Sequence, residues 1–210
     1  MQVLKRVLKN IYWFLLRAIP LTRCIYDTKD SQTPITLKMF LMQKILRFNG
    51  HVYWPVHFTS IVSFPKNIYS GIETCPGYMP GCYIQGIGKI YIGDYSQISA
   101  NVGIITANHD LNDNRKHSNI KAVRIGKYCW IAMNVMIMPG VELGDYTIVG
   151  AGSVVTKSFP EGFCLIAGNP AKIIKTLDRE ECVYHKSPIE YNGYIKSDKF
   201  EKFRRKNLHI

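Results

Sequence analysis

His109 is the residue of this chain best suited to move a proton, and its setting marks it out. It lies in the stretch Ile104 to Gly126, IITANHDLNDNRKHSNIKAVRIG, directly after Asn108 and eight residues before His117. An imidazole titrates near neutrality and can take the proton of a hydroxyl as that oxygen attacks an activated carbonyl. A base of this kind needs a partner for its second ring nitrogen. Glu142, Asp113 and a backbone carbonyl all qualify. His117 could orient the loop, contact an acceptor or stand in solvent. Asn108 could reach an acceptor or make the corner, and Gln85, in CYIQG, is a polar residue in a tight run that could line the acceptor side.

Other chemistries fit less well. Cysteines stand at 24, 75, 82, 129, 164 and 182 with no CxxC pair, which argues against a zinc knuckle. A disulfide framework is not expected in a chain that is neither short nor Cys-dense, so reduced thiols are expected. A trimer-bridging zinc site of three histidines is not expected either, because only His109 and His117 fall in the repeat region described next. The net charge of +12 favours anionic partners. No nucleic-acid reader module accompanies it, and the basic residues are spread over both termini, so nucleic-acid binding is not expected.

The elements that position His109 show as a beat of six. Ile92, Ile98 and Ile104 precede the histidine, and Ile125, Ile131, Ile137, Leu143, Val149 and Val155 follow it. The next residue is often small: Gly93, Ser99, Gly126, Ala132, Gly144 and Gly150. Three short strands joined by tight corners make one coil of a triangular prism, with one aliphatic per side pointing inward onto its equivalent in the next coil. An antiparallel sheet would show period two without period six. The predicted class is therefore mainly β, a parallel β-helix. Asp94 and Asp145 in the corners read as turn residues. Between Ile104 and Ile125 the beat fails, and the 21 residues there read as one coil of eighteen plus three, with part of that coil extruded as a loop.

The flanks read differently. Residues 1–54 are expected to be helical, 55–177 to form the prism, and 178–210 to be a charged extension ending in a helix over SDKFEKFRRKNL. At the N-terminus Lys5, Arg6, Lys9 and Arg17 alternate with Val3, Leu4, Val7, Leu8, Ile11, Tyr12, Leu15 and Leu16, an amphipathic basic helix. Such a helix could lie on a membrane surface, or dock on its own domain or a neighbouring subunit. Its apolar run is too short to span a bilayer, and no small-x-small cleavage site follows, so no signal peptide is expected.

The motifs CYIQGIGKIYIGDYSQISANVGIITANHD, VRIGKYCWIAMNVMIMPGVELGDYTIVGAGSVVTKSFPEG and CLIAGNPAKII, over residues 82–174, resemble the hexapeptide-repeat acyltransferases, most closely the sugar and polysaccharide O-acetyltransferases, with the maltose and galactoside enzymes as cousins. The resemblance implies a left-handed parallel β-helix. It also implies a homotrimer with active sites between subunits, acetyl-CoA as co-substrate, no metal, and direct attack by an acceptor hydroxyl with His109 as general base. By the same resemblance Ala132 and Met133 after Trp130, then Ala151, Thr156 and Lys157, line the CoA channel. Lys172 and Lys175 match positions where cousins carry a cation near the CoA phosphates. Trp130 could equally cover the prism flank, and either lysine could be a solvated charge. The run PGCY lacks the acceptor-binding Asn that the maltose and galactoside enzymes carry nearby. The expected acceptor is a sugar or surface-polysaccharide precursor, and the expected location is cytoplasmic, at or near the inner membrane face. The alternatives are N-acetylation of an amino sugar, disfavoured because no GxGxxG stands in residues 1–60, and a non-catalytic β-helix scaffold, disfavoured by the intact VVTK and AGNPAK runs.

Overall fold

The computed structural model describes residues 2–210; Met1 and the side chain of Val3 lie outside the described residues. From Ile61 the chain winds into a three-sided prism of short parallel strands. Face one holds Ile61–Ser63, Tyr83–Gln85, Gly103–Ile105, Met136–Ile137 and Val154–Val155. Face two holds Ile68–Ser70, Ile90–Ile92, Val123–Ile125 and Glu142–Leu143. Face three holds Gln97–Ile98, Trp130–Ile131, Thr147–Val149 and Cys164–Gly168, and is closed by the antiparallel strand Ala171–Thr176 after the reversal at Asn169–Pro170.

All nine aliphatics of the six-step series are buried, and they stack as the repeat requires. Ile84, Ile104, Ile137 and Val155 form one column. Ile92, Ile125 and Leu143 form a second, and Ile98, Ile131, Val149 and Ile166 a third. The small residues beside them are required by the closeness of successive coils. A Cβ on Gly93 would stand 2.7 Å from the Gly126 carbonyl carbon, one on Gly126 would stand 2.5 Å from the Asp145 nitrogen, and one on Gly144 would strike the Pro160 carbonyl. Asp94 and Asp145 are turn residues as expected: their Oδ1 atoms accept from the Ile72 and Lys127 amides at 2.9 and 2.7 Å.

The corner between faces two and three carries a feature the periodicity did not reveal. Tyr95, Tyr128, Tyr146 and Phe163 occupy it with φ of 58°, 55°, 54° and 46°, the left-handed region where aromatic residues are costly. Their rings stack at centroid spacings of 5.3, 5.0 and 5.3 Å, which offsets part of that cost. The C-terminal extension straps this ladder. Tyr128 Oη donates to the His185 carbonyl and Tyr146 Oη to the Val183 carbonyl, at 2.9 and 2.6 Å, while Tyr95 Oη donates to the Glu190 carboxylate at 2.6 Å.

The N-terminal segment carries α1 Gln2–Ala18, α2 Arg23–Asp27, then α3 Leu37–Phe40 running into a π-helical turn Leu41–Ile45, with turns and coil over 28–36 and 46–54. Gln43 on that turn is fully buried and ties three parts of the chain together. Its Nε2 donates to the Trp54 carbonyl at 2.8 Å, and its Oε1 accepts from the Val56 amide at 3.0 Å and from Tyr194 Oη at 2.9 Å. The helix α4, Ser197–Asn207, ends the chain and seats Phe200 in the prism core. Among the described residues of α1, Leu16 and Trp13 pack inward, against Cys24, Ile25, Phe40 and Tyr191. Leu4, Val7, Leu8, Ile11, Phe14 and Leu15 of the same helix are exposed.

A candidate acyl-transfer site split over two corners

The break in the repeat lies at one corner, between faces one and two, and its size differs from the sequence-based count. Ile92 pairs in register with Ile125, and Ile98 with Ile131. Both pairs are 33 residues apart, one coil of eighteen plus fifteen. The strand Gly103–Ile105 leads straight to Val123–Ile125 on the next face, so the 21-residue span from Ile104 to Ile125 replaces a single six-residue side step. The excursion is therefore fifteen residues inserted at one corner, and not an extra coil with three residues extruded. Counting by sixes reports phase only, and eighteen plus three has the same phase as six plus fifteen.

Thr106, which the sequence reading passed over, fixes the neck of this loop. It is fully buried. Its Oγ1 donates to the Gln85 carbonyl at 2.7 Å and accepts from the Gly88 amide at 2.8 Å, and its carbonyl accepts from the Lys121 amide at 2.9 Å. The signal available in the sequence was a lone polar residue two places after a core isoleucine. Beyond the neck, Asn108–His109 pairs antiparallel with His117–Ser118, setting His109 directly opposite His117. Opposed residues of such a pair project to the same side. The two imidazoles stack with centroids 4.9 Å apart and planes 29° from parallel, and both are exposed. The tip is ordered by its own bonds. Asp110 Oδ1 accepts from the Asn112 and Asp113 amides, and the Asp113 carboxylate holds Arg115 at 2.8 Å and Lys116 at 3.3 Å. That pairing holds the Asp113 carboxyl below its ordinary range and turns it toward the loop cations.

Gln85 stands on the preceding coil, beside this base. Its Oε1 accepts from the Thr106 and Ala107 amides at 3.2 and 3.0 Å, so it props the backbone just ahead of Asn108 and His109. Thr156 and Lys157 are exposed at the same corner, two coils further along, where Ser158 Oγ accepts from the Glu142 amide at 3.0 Å.

The remaining sequence-predicted residues lie across the prism. Trp130, Ile148, Leu165 and Lys175 form one register row on face three, and Lys172 pairs with Ala167 on its border. Rows in a sheet are ~4.8 Å apart, so Trp130 and Lys175 are about 14 Å from each other. The Trp130 Nε1 donates to Ser99 Oγ at 3.4 Å. Met133 and Ala151 are exposed at the corner between faces three and one, with the Gly152 amide bonded to the Met133 carbonyl at 2.9 Å. Ala132 beside them is buried. The groups thus fall into two sets, one at the corner between faces one and two, the other on face three and its corner with face one, a side away. Six residues of strand span up to about 20 Å. Among the described residues no group of three or more His, Cys, Asp or Glu could hold a metal ion.

The repeat has a known counterpart. Residues 122–157 match the model of the bacterial transferase hexapeptide (six repeats) family. The chain carries a hexapeptide-repeat domain. Over 89 residues this domain is 40% identical to a protein of Escherichia coli K12 named "Putative colanic acid biosynthesis acetyltransferase WcaF", covering 42% of the chain and 48% of that protein. The chain spans about half the length of the curated relatives it matches. Among solved structures it resembles a maltose O-acetyltransferase from Clostridium difficile 630 at 26% identity and TM-score 0.57, covering 78% of the chain and 91% of that one. It shares its fold with a galactoside acetyltransferase in complex with coenzyme A, at 22% identity and TM-score 0.56, over 79% and 87% of the two chains.

Proposed function

We propose that this chain is an acetyl-CoA-dependent O-acetyltransferase that acts on a hydroxyl of a sugar or surface-polysaccharide precursor in the cytoplasm. His109 is the general base. It takes the proton as the acceptor oxygen bonds to the acetyl carbonyl carbon. The tetrahedral intermediate then collapses, the carbon–sulfur bond breaks, and the proton passes to the CoA thiolate. No covalent enzyme intermediate is needed, because the thioester is already activated.

The observation that carries this reading is the separation of two half-sites on one prism. The base and its Gln85 prop stand at one corner with Thr156 and Lys157. The row from Trp130 to Lys175, with Met133 and Ala151, forms a channel wall ending in cations suited to the CoA phosphates. A homotrimer of parallel, left-handed prisms sets the base corner of one subunit beside the wall of its neighbour and closes the site, as cyclic symmetry permits.

The test is a thiol-release screen with acetyl-CoA against mono- and oligosaccharide acceptors, with a sizing measurement alongside. Acceptor-dependent release by a trimer is expected, and His109→Ala should lower turnover by roughly two to four orders of magnitude while acetyl-CoA still binds. Undiminished release in that variant removes His109 from the chemistry. A chain that binds no acetyl-CoA and releases no thiol with any acceptor is not this enzyme.

A further inference from the structure

One feature that the site described above does not use lies where α1, the π-helical turn and the C-terminal segment meet. A cavity of about 760 Å³ there is lined by Arg17, Arg23, Lys44, Lys196 and Lys199, with Asp27 as the acid among the described lining residues. Asp27 is already engaged, 3.7 Å from Arg23 and accepting from Tyr191 Oη at 2.8 Å. Lys44 is half-buried over the Tyr194 ring at 4.0 Å, and burial pulls its ammonium below the ordinary lysine range. The cavity therefore gathers positive charge without a matching counter-charge, and favours an anion.

Its mouth is apolar. Leu21 and Ile45 line it and are 68% and 61% exposed. Beyond them the surface continues in two directions. Along α1 run Leu4, Leu8, Ile11 and Phe14, with Leu8 and Phe14 56% and 69% exposed, and Lys5, Arg6 and Lys9 form the opposite, basic side of the helix. Along the other run Leu41, Leu46 and Phe48. A helix of seventeen residues is about 26 Å long, and α1 carries no acidic residue. Among the described residues no helix is long and apolar enough to cross a membrane. A second copy is a poor occupant, because a self-contact would bring the same five cations of each chain together. A cationic cavity with an apolar mouth, beside an exposed apolar stripe on a helix whose other face is basic, matches a phospholipid bilayer with anionic headgroups.

We propose that α1 and residues 41–48 lie in the interface of an anionic bilayer, and that the Arg17–Arg23–Lys44–Lys196–Lys199 cavity seats a lipid phosphate. This goes beyond the catalytic reading and does not depend on it, since it is measured without acyl transfer.

The experiment is flotation of the full chain with vesicles of phosphatidylcholine alone or with roughly a third phosphatidylglycerol. Partition at least ten times higher on the anionic vesicles is expected, falling steeply with salt, on the order expected when several basic residues each add about a fivefold preference. Lys44→Ala with Lys199→Ala should lower that partition about 25-fold by the same scale. Leu8→Ser with Phe14→Ser should abolish it with an unchanged thermal unfolding curve, since both side chains are exposed. Equal partition on both vesicle types, or none on either, overturns the proposal. So does saturation of the cavity by millimolar inorganic phosphate without vesicle binding, which would make it a site for soluble phosphate. Self-association lost in the Leu8/Phe14 variant without vesicle binding would assign the face to a second copy and likewise overturn it.

Discussion

His109 and His117 stack across a two-stranded ribbon, 4.9 Å apart, on the loop that leaves the prism between faces one and two. The ribbon is closed at its neck by the Thr106–Lys121 bond and at its tip by Asp110 and Asp113. The proposed base is therefore held on an ordered loop whose two ends are tied to the scaffold. A stacked neighbour limits the ring orientations open to His109 without taking its proton.

His117 should thus act as a positioning residue. A stacked pair is worth about 0.5–1.5 kcal/mol, so His117→Ala should lower kcat by roughly two- to twelvefold, far less than His109→Ala. His117→Phe keeps the stack and should retain most of the activity. Steady-state kinetics on the three variants check this; a loss in His117→Phe equal to that in His109→Ala would make His117 a proton carrier.

Gln85 should behave likewise. Because its Oε1 props the Thr106 and Ala107 amides, Gln85→Ala should reduce kcat with the acceptor KM nearly unchanged, and Gln85→Glu, which keeps an accepting oxygen, should recover most of the loss. A rise in acceptor KM as the main effect would instead put Gln85 in contact with the acceptor.

The inward columns set the stability of the prism. Ile131 is fully buried between Ile98 and Val149, so Ile131→Ala should cost about 2–5 kcal/mol of unfolding free energy, read from urea midpoints at unchanged slope. A loss under ~1 kcal/mol would mean the column collapses around the gap.

The aromatic ladder gives the fold an alkaline limit. Burial, followed by the neighbouring Tyr184 and Tyr128, pushes Tyr146 up to about 12, and burial also raises Tyr95 and Tyr128. Between the unfolded tyrosine value near 10 and the folded one, the folded chain holds more protons than the unfolded chain, so stability is intact below about pH 10 and falls as pH rises from there. Absorbance at 295 nm during base titration should show this group ionising late, together with loss of the near-ultraviolet circular dichroism. Ionisation of all thirteen tyrosines in one step near 10 would contradict it.

The thiols offer an independent check on the packing. Cys24, Cys75, Cys82, Cys129 and Cys164 are buried and free, and burial raises each, Cys24 to about 11 and Cys75 and Cys129 to about 12. Only Cys182 among the described residues is partly exposed. A colorimetric thiol reagent should therefore titrate one group rapidly in the native chain and all six in denaturant. Several fast native thiols would show that the coils open.

The sequence by itself determined the prism. An inward aliphatic every sixth residue, often with a small residue after it, is the pattern of three-sided coils, and Ile92 through Val155 stack as that pattern demands because an inward side chain has no other place to go. It also determined where the pattern stops and which residue there could move a proton. The sequence could not supply quantities that depend on closure in three dimensions. A period reports phase and not count, so only the pairing of Ile92 with Ile125 separates a fifteen-residue insertion at one corner from an extra coil with three residues to spare. The Gly-x-Tyr spacing at Tyr95, Tyr128 and Tyr146 is present in the sequence, but the ladder they make with Phe163 needs the stacked left-handed corners and the strap brought over them from residues 183–190. The outward stripe of α1 follows from which side of the helix meets Cys24, Phe40 and Tyr191, a choice made by elements far away in the chain. The split of the proposed site across two corners is likewise tertiary: His109 and Trp130 are 21 residues apart in sequence, and the turn of the prism puts them on different sides of one subunit.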